Sequence, residues 1–264
     1  MEPQAERYLC MLRQIMNNGQ IIKPRGIECK ELEDLQIHID PDCPFMAFDD
    51  RKYNIEYFKQ EMRWKLRANK YDTSIQNHAN MWEDVINPDG TYNSNYGQYW
   101  FGEQHGIWDV VTELLRDPNS RKAVIPMLNV SHMSPQTVDT VCTECVGFRI
   151  RNGCLNMSVH MRSSDVIYGL GTDIPTFAFL YRLVMGLIGG VLPGLITITA
   201  MSSHIYAKHY GMVNNIILKG SSGYKEIPMP YCNTPEALKI IAGRGNGPIL
   251  RQSGALGEWL CQIY

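Results

Sequence analysis

The chain has 264 residues, enough for one large mixed α and β domain or for two smaller ones. With 44% apolar and 20% charged residues, and 22 Gly and 14 Pro dispersed along its length, its composition excludes collagen, a long coiled coil and a wholly disordered chain. Twenty-five Lys and Arg against 27 Asp and Glu leave a formal charge of −2 with no basic block, which argues against an electrostatically driven duplex binder and leaves small anions to a local basic pocket.

Residues 3–16 place Tyr8, Leu9, Leu12, Ile15 and Met16 at helical spacing before the stop Asn17-Asn18-Gly19, so the spacing predicts an amphipathic first helix. Residues 26–44 are short-patterned and polar, with a strand at Leu35–Ile39. A second helix from Ile55 to about Ala68 turns Ile55, Phe58, Met62 and Leu66 inward and leaves Glu61 at the edge of the buried face. Asn87-Pro-Asp-Gly90 and Asn93-Ser-Asn95 read as loop, and Ile107–Leu115 as a helix.

Beyond residue 120 the period moves toward two. Strands are expected at Ala123–Val130, Cys145–Arg151 and Cys154–Met161, the last two flanking the hairpin signal Asn152-Gly153. In the second arm Leu155, Met157, Val159 and Met161 share a core face, and Asn156, Ser158, His160 and Arg162 a polar one. Ile174–Leu192 is the membrane-span candidate, but Pro175, Arg182 and three glycines interrupt it, so it reads as a buried core helix. A strand at Leu195–Met201 follows, and no repeat is present. The expected fold is α+β: one domain, 1–264, with a large mixed sheet flanked by helices rather than alternating βαβ units.

Eight cysteines (10, 29, 43, 142, 145, 154, 232 and 261) are too sparse for a disulfide scaffold, and no charged-then-apolar signal segment opens the chain. Thiols in a reducing, cytoplasmic setting are expected. Cys142-Thr-Glu-Cys145 has the spacing of a redox pair or half a zinc site. There is no second CxxC and no His pair at ligand spacing, and on an extended segment the two side chains face opposite ways. Arg162-Ser-Ser-Asp165 gathers a guanidinium, two hydroxyls and a carboxylate, a set suited either to a phosphate and a polar heterocycle or to a solvated strand end. Asp117-Pro-Asn-Ser-Arg121-Lys122 reads as a surface turn or as a second anion contact.

Taken together, Cys142–Arg149, Met161-Arg-Ser-Ser-Asp165-Val-Ile-Tyr-Gly-Leu170, Asp173, Ser203-His204-Ile-Tyr206, Asp117-Pro-Asn-Ser-Arg121 and Asn95-Tyr96-Gly97 resemble the thymidylate synthase and deoxycytidylate hydroxymethylase superfamily in order and spacing, most strongly over 56–210. The resemblance implies a homodimeric pyrimidine C5 one-carbon transferase with methylenetetrahydrofolate as co-substrate, no metal, no nucleic acid and no membrane. It implies Cys142 as the nucleophile on C6 of the base, which turns C5 into an enamine-like carbon. A free thiol's pKa of about 8.5 leaves little thiolate at neutral pH, so a cation such as Arg162 is expected to favour ionisation.

By the same resemblance Arg162 and Ser163 bind phosphate, joined by Arg121 and Lys122 from the partner subunit, although the family usually has a second Arg where Lys122 stands. Lys23 or Arg25 supplies a further basic ligand. His204 and Tyr206 hold the sugar, Asp165 contacts pterin and base, and Trp82 lies beside the folate. Glu61 is the acid/base and water-organising carboxylate, and Tyr96 the proton relay. Thymidylate synthases carry Asn at position 173, suited to uracil, whereas the hydroxymethylases share Asp173, suited to N3 and the 4-amino group of cytosine. They also share Thr143 after the nucleophile. The closest resemblance is therefore to the dCMP hydroxymethylases, enzymes of phage DNA modification. Alternatives are a C5 methylase of dCMP or dUMP, CMP as substrate, and an inactive relative that binds nucleotide or RNA as a regulator. The tail after Gly220 does not match the family's closing lid.

Overall fold

The computed structural model describes residues 3–102 and 106–262. In chain order its main elements are α1 (Gln4–Asn18), β1 (Gln20–Ile22), β2 (Cys29–Ile39), β3 (Ala47–Phe48), α2 (Ile55–Arg67), α3 (Met81–Val85), α4 (Gly97–Trp100), α5 (Ile107–Arg116), β4 (Val124–Pro126), β5 (Thr143–Arg151), β6 (Cys154–Met161), β7 (Ser164–Asp165), α6 (Gly169–Ile188), β8 (Leu192–Tyr206), α7 (Tyr210–Lys219), β9 (Tyr224–Lys225), α8 (Thr234–Gly243), α9 (Gly247–Leu250) and α10 (Gly254–Cys261). The principal sheet runs β1-β2-β8-β6-β5-β4, with β7 paired to β8, and helices flank it, as the α+β reading expects.

The chain packs into two compact units. The first comprises Met1–Tyr53, Ser158–Phe179 and Leu195–Met229. β2 and β8 pair antiparallel from Cys29 opposite Tyr206 to Ile39 opposite Ile196, and α1 lays Tyr8, Leu9, Leu12 and Ile15, all buried, along β2. The Tyr8 hydroxyl donates to the Val166 carbonyl at 2.7 Å, tying α1 to the segment that leads into α6. β7 runs parallel to β8 and sets Asp165 level with His204. The buried Arg51 donates from Nε to the Ile167 carbonyl at 2.7 Å. A Cβ on Gly171 would sit 2.0 Å from the Arg51 guanidinium, so a side chain there would displace Arg51 from this turn of α6.

The second unit comprises Asn54–Met157, Leu180–Gly194 and Pro230–Tyr264. Asn54 caps α2 by accepting from the Tyr57 N–H, and Ala68 ends it in the left-handed region. Trp64 of α2 packs on Trp82 and Tyr92 with ring centroids 5.0 and 5.6 Å away. Asn152 and Gly153, at φ 52° and 75°, make the tight turn between β5 and β6 that their residue types call for.

Several boundaries differ from the sequence reading. α6 starts at Gly169, five residues before the expected 174, and ends at Ile188, where Gly189 and Gly190 both take positive φ. Pro175 therefore lies inside the helix, and Asp173 does not cap it. The expected strand Ala123–Val130 shortens to Val124–Pro126, because the Asn129 side chain accepts from the Ser131 N–H and starts a 3₁₀ turn. β2 and β8 extend well beyond Leu35–Ile39 and Leu195–Met201. No described helix is long and apolar enough to cross a membrane.

Candidate active site

In the second unit the sequence-selected residues converge around the C-terminal half of α2. A helical turn separates Glu61 from Lys65, so both project from one face, and their Oε1 and Nζ are 2.6 Å apart with 6% and 2% exposure. Asn95 is fully buried and donates to the carbonyls of Trp64 and Asn69 at 3.3 and 3.2 Å. Gly97 lies against the Lys65 carbonyl so closely that a Cβ would stand 1.6 Å from that oxygen. The Asn-Tyr-Gly triplet thus needs its amide and its missing side chain for one purpose, to press Tyr96 against α2. The Tyr96 ring centroid is 4.8 Å from the Lys65 ammonium.

Tyr96 also accepts a hydrogen bond from the buried Thr143 hydroxyl at 3.2 Å. Thr143 opens β5, and Cys142, half-buried, directly precedes it. Glu61, Lys65, Tyr96 and Thr143 therefore form a continuous polar chain that ends one residue from the candidate nucleophile. None of the eight cysteines is in a disulfide, and burial together with Glu144 pushes the Cys145 thiol above its usual range.

Trp82 is 6% exposed, its indole N–H donating to the Tyr57 hydroxyl at 2.9 Å and its rings packed on Trp64 and Tyr92, so most of its surface belongs to the core. Arg121 and Lys122 are exposed on the turn after α5, which is held by Ser120 donating to Glu113 at 2.5 Å and to which the Lys122 N–H returns at 3.1 Å.

The first unit brings together a second set. β7 places Asp165 beside His204, and Tyr206 lies two residues farther along β8, its ring 5.0 Å from the His204 ring at 79°. One Asp165 carboxylate oxygen accepts the Ile167 N–H at 3.0 Å. Burial holds His204 below the usual imidazole range, with Asp165 and Glu31 pulling the other way, so the ring is biased toward neutral. Burial raises the Tyr206 phenol, and a hydrogen bond from the Arg25 guanidinium opposes that rise. Arg25 takes φ 54° in the turn Pro24–Gly26, whereas Lys23 pairs with Glu28 at 3.2 Å. Of the two basic residues the sequence leaves open, Arg25 is the one that faces the His204 and Tyr206 pair. Arg162 and Ser163, half-buried, bridge β6 to β7, and Asp173 is half-buried on α6.

Sequence reasoning missed Lys65 and the tie between Thr143 and Tyr96. A Glu-to-Lys i,i+4 pair whose lysine adjoins apolar Leu66 was the signal available for the first. Among the described residues no group of three or more His, Cys, Asp or Glu could hold a metal ion.

Residues 6–235 match the family described as thymidylate synthase. The deoxycytidylate 5-hydroxymethyltransferases of Enterobacteria phages T4, T2 and T6 are each 26% identical to this chain over 208 residues, covering 74% of it and 82% of the relative. With the match spanning most of its length, the chain belongs to the thymidylate synthase family.

Proposed function

We propose that this pyrimidine C5 one-carbon transferase is a cytidylate 5-hydroxymethyltransferase acting on dCMP. The observation that carries the choice of base is Asp173, a half-buried carboxyl on α6 that has no capping duty there. A carboxyl group pairs with N3 and the 4-amino group of cytosine, whereas an amide suits O4 and N3–H of uracil. The phage relatives named for deoxycytidylate hydroxymethylation support the same choice.

In this reading the Cys142 thiolate adds to C6, and C5 gains the nucleophilicity to accept the carbon. Methylenetetrahydrofolate, when bound, supplies that carbon at the oxidation level of formaldehyde. Tyr96 relays the C5 proton, and its loss together with cleavage of the bond from the new carbon to the folate nitrogen leaves an exocyclic methylene on the base and frees tetrahydrofolate. Glu61 then takes a proton from water as the water oxygen bonds to the exocyclic methylene, whose π pair re-forms the C5–C6 double bond and expels Cys142 as thiolate. Arg162, Ser163 and Arg25 hold the phosphate, and His204 and Tyr206 the sugar. Asp165 suits the pterin's N–H donors because only one of its oxygens is committed to the backbone by the contact to Ile167; Trp82 contributes an edge from the core. The working form is a cytoplasmic homodimer in which the partner donates Arg121 and Lys122, with residues 1–264 serving as one catalytic domain.

The test is to assay dCMP, CMP and dUMP with methylenetetrahydrofolate and identify each product by mass. Hydroxymethyl-dCMP as the main product is expected. A methylated product assigns hydride capture instead, preferential turnover of CMP moves the sugar assignment, and nucleotide binding without turnover of any substrate points to a regulator.

A further inference from the structure

α2 buries two lysines, and they do different things. Lys59 donates to the Gln262 carbonyl at 2.8 Å and lies 5.1 Å from the Trp259 ring centroid, which makes it a fastener for the C-terminal segment. Lys65 lies six residues on, between Glu61 and Tyr96. Its ammonium meets a carboxylate and the ring of Tyr96, the two side chains to which the proposed reaction assigns proton transfer.

We propose that Lys65 is a positioning residue that keeps Glu61 ionised and aimed throughout turnover, so that a carboxylate is present to take the proton of the attacking water. The proposal rests on the reading of Glu61 as that base. A carboxyl group buried with no cation is driven toward its neutral form, and a neutral acid cannot accept a proton from water. An ammonium at 2.6 Å, itself buried, offsets that penalty and fixes the carboxylate's direction, because the helix holds the two side chains a turn apart.

Among the described residues, the elements packed most closely on α2 carry these other titratable groups. α4 brings Tyr96 at its N-terminal boundary and Tyr99, the 3₁₀ turn Thr73–Asn77 brings none, and α10 brings Glu258 and Cys261, of which Cys261 acts on Lys59.

The experiment compares wild type, K65M and K65R. It measures kcat and KM for dCMP across the pH range, and it records the Glu61 carboxyl stretch by infrared difference against E61Q without substrate. In K65M the acidic limb of the kcat profile should move up by about 1–3 pH units, with kcat near neutrality falling about tenfold or more while KM changes little. K65R should restore the limb to within about half a unit, since it keeps the charge. The infrared spectrum of wild type near pH 6 should show an ionised Glu61, and that of K65M a protonated one.

A K65M limb that does not move, or a protonated Glu61 in wild type, overturns the proposal. Should K65M not fold, K65Q takes its place: a limb moved up by about one unit or more upholds the role and an unmoved limb refutes it. Failure of the functional reading looks different. Wild type would then transfer no carbon to dCMP, CMP or dUMP, and the infrared spectra alone would still judge whether Lys65 keeps Glu61 ionised.

Discussion

Two side chains bear most of the chemical argument. Cys142 precedes the strand whose first residue, Thr143, touches Tyr96, whereas Cys145 stands three residues on with its thiol pushed up by burial and by Glu144. Removing one sulfur should therefore differ sharply from removing the other. Cys142→Ser is expected to lower kcat for the cytidylate by about four orders of magnitude or more, and Cys145→Ser to stay within a few fold of wild type. Equal losses in a steady-state assay would reopen the CxxC reading. At Asp173 the helix itself removes an alternative explanation. α6 begins four residues upstream, so an exchange to Asn leaves no cap to lose. Asp173→Asn should lower kcat/KM for dCMP relative to dUMP by about 10³-fold or more; an unchanged ratio would remove cytosine recognition from this residue.

At the scale of elements, the approach of α4 to α2 is the contact on which Tyr96 depends. Ala at position 97 would put a methyl carbon into the Lys65 carbonyl. The backbone must part to admit it, at a cost of about 1–3 kcal/mol. Gly97→Ala is expected to lower the unfolding free energy by that amount, read as a lower urea midpoint, and to depress kcat more than KM; a fully stable, fully active variant would show that this closeness is dispensable.

Elements whose residues agree at every level were legible in the sequence. α2 shows its 3.6 period and its Asn54 cap, and the β5–β6 hairpin shows strict alternation around Asn152-Gly153. Elements carrying conflicting local signals were not. Pro175 reads as the first turn of a helix, yet α6 starts at Gly169 and contains it, with the turn at Gly171 packed on Arg51. The last helices, of ten, four and eight residues, contain Pro235 and Pro248 and little periodicity, so tertiary packing rather than local pattern defines them. Lys65 escaped notice for a similar reason, since a lysine on a helix reads as solvated until the fold supplies its partner.

For the whole molecule, the buried imidazoles set the response to acid. His132 accepts the Asn129 N–H on Nδ1 at 3.1 Å, which leaves the proton on Nε2, 3.3 Å from the Tyr99 hydroxyl. Burial holds His132, His204 and His209 below the usual imidazole range. The unfolded chain therefore binds more protons than the folded one as the pH falls through about 6.5, and stability is lost in that direction. The urea midpoint is expected to decline between about pH 7 and pH 5, and His132→Gln to reduce the decline; a pH-independent midpoint would contradict the burial argument.

Assembly has its own test. If Arg121 serves the partner's site, mixing inactive Cys142→Ser and Arg121→Ala subunits should return about a quarter of wild-type activity, one intact site in each mixed dimer. No recovery after verified exchange of subunits would refute shared sites.

The distribution of thiols has a further consequence. Cys29 is buried in one unit, Cys232 and Cys261 in the other, and burial pushes the Cys29 thiol up and the Cys232 thiol up to about 12. While the fold is closed these sulfurs are sheltered from an alkylating reagent that reaches the exposed Cys10 at once. At reagent concentrations where labelling outpaces reclosing, the rate at which each is labelled is the opening rate of its own surroundings, so the chain carries built-in clocks for two regions and needs no introduced probe to time them.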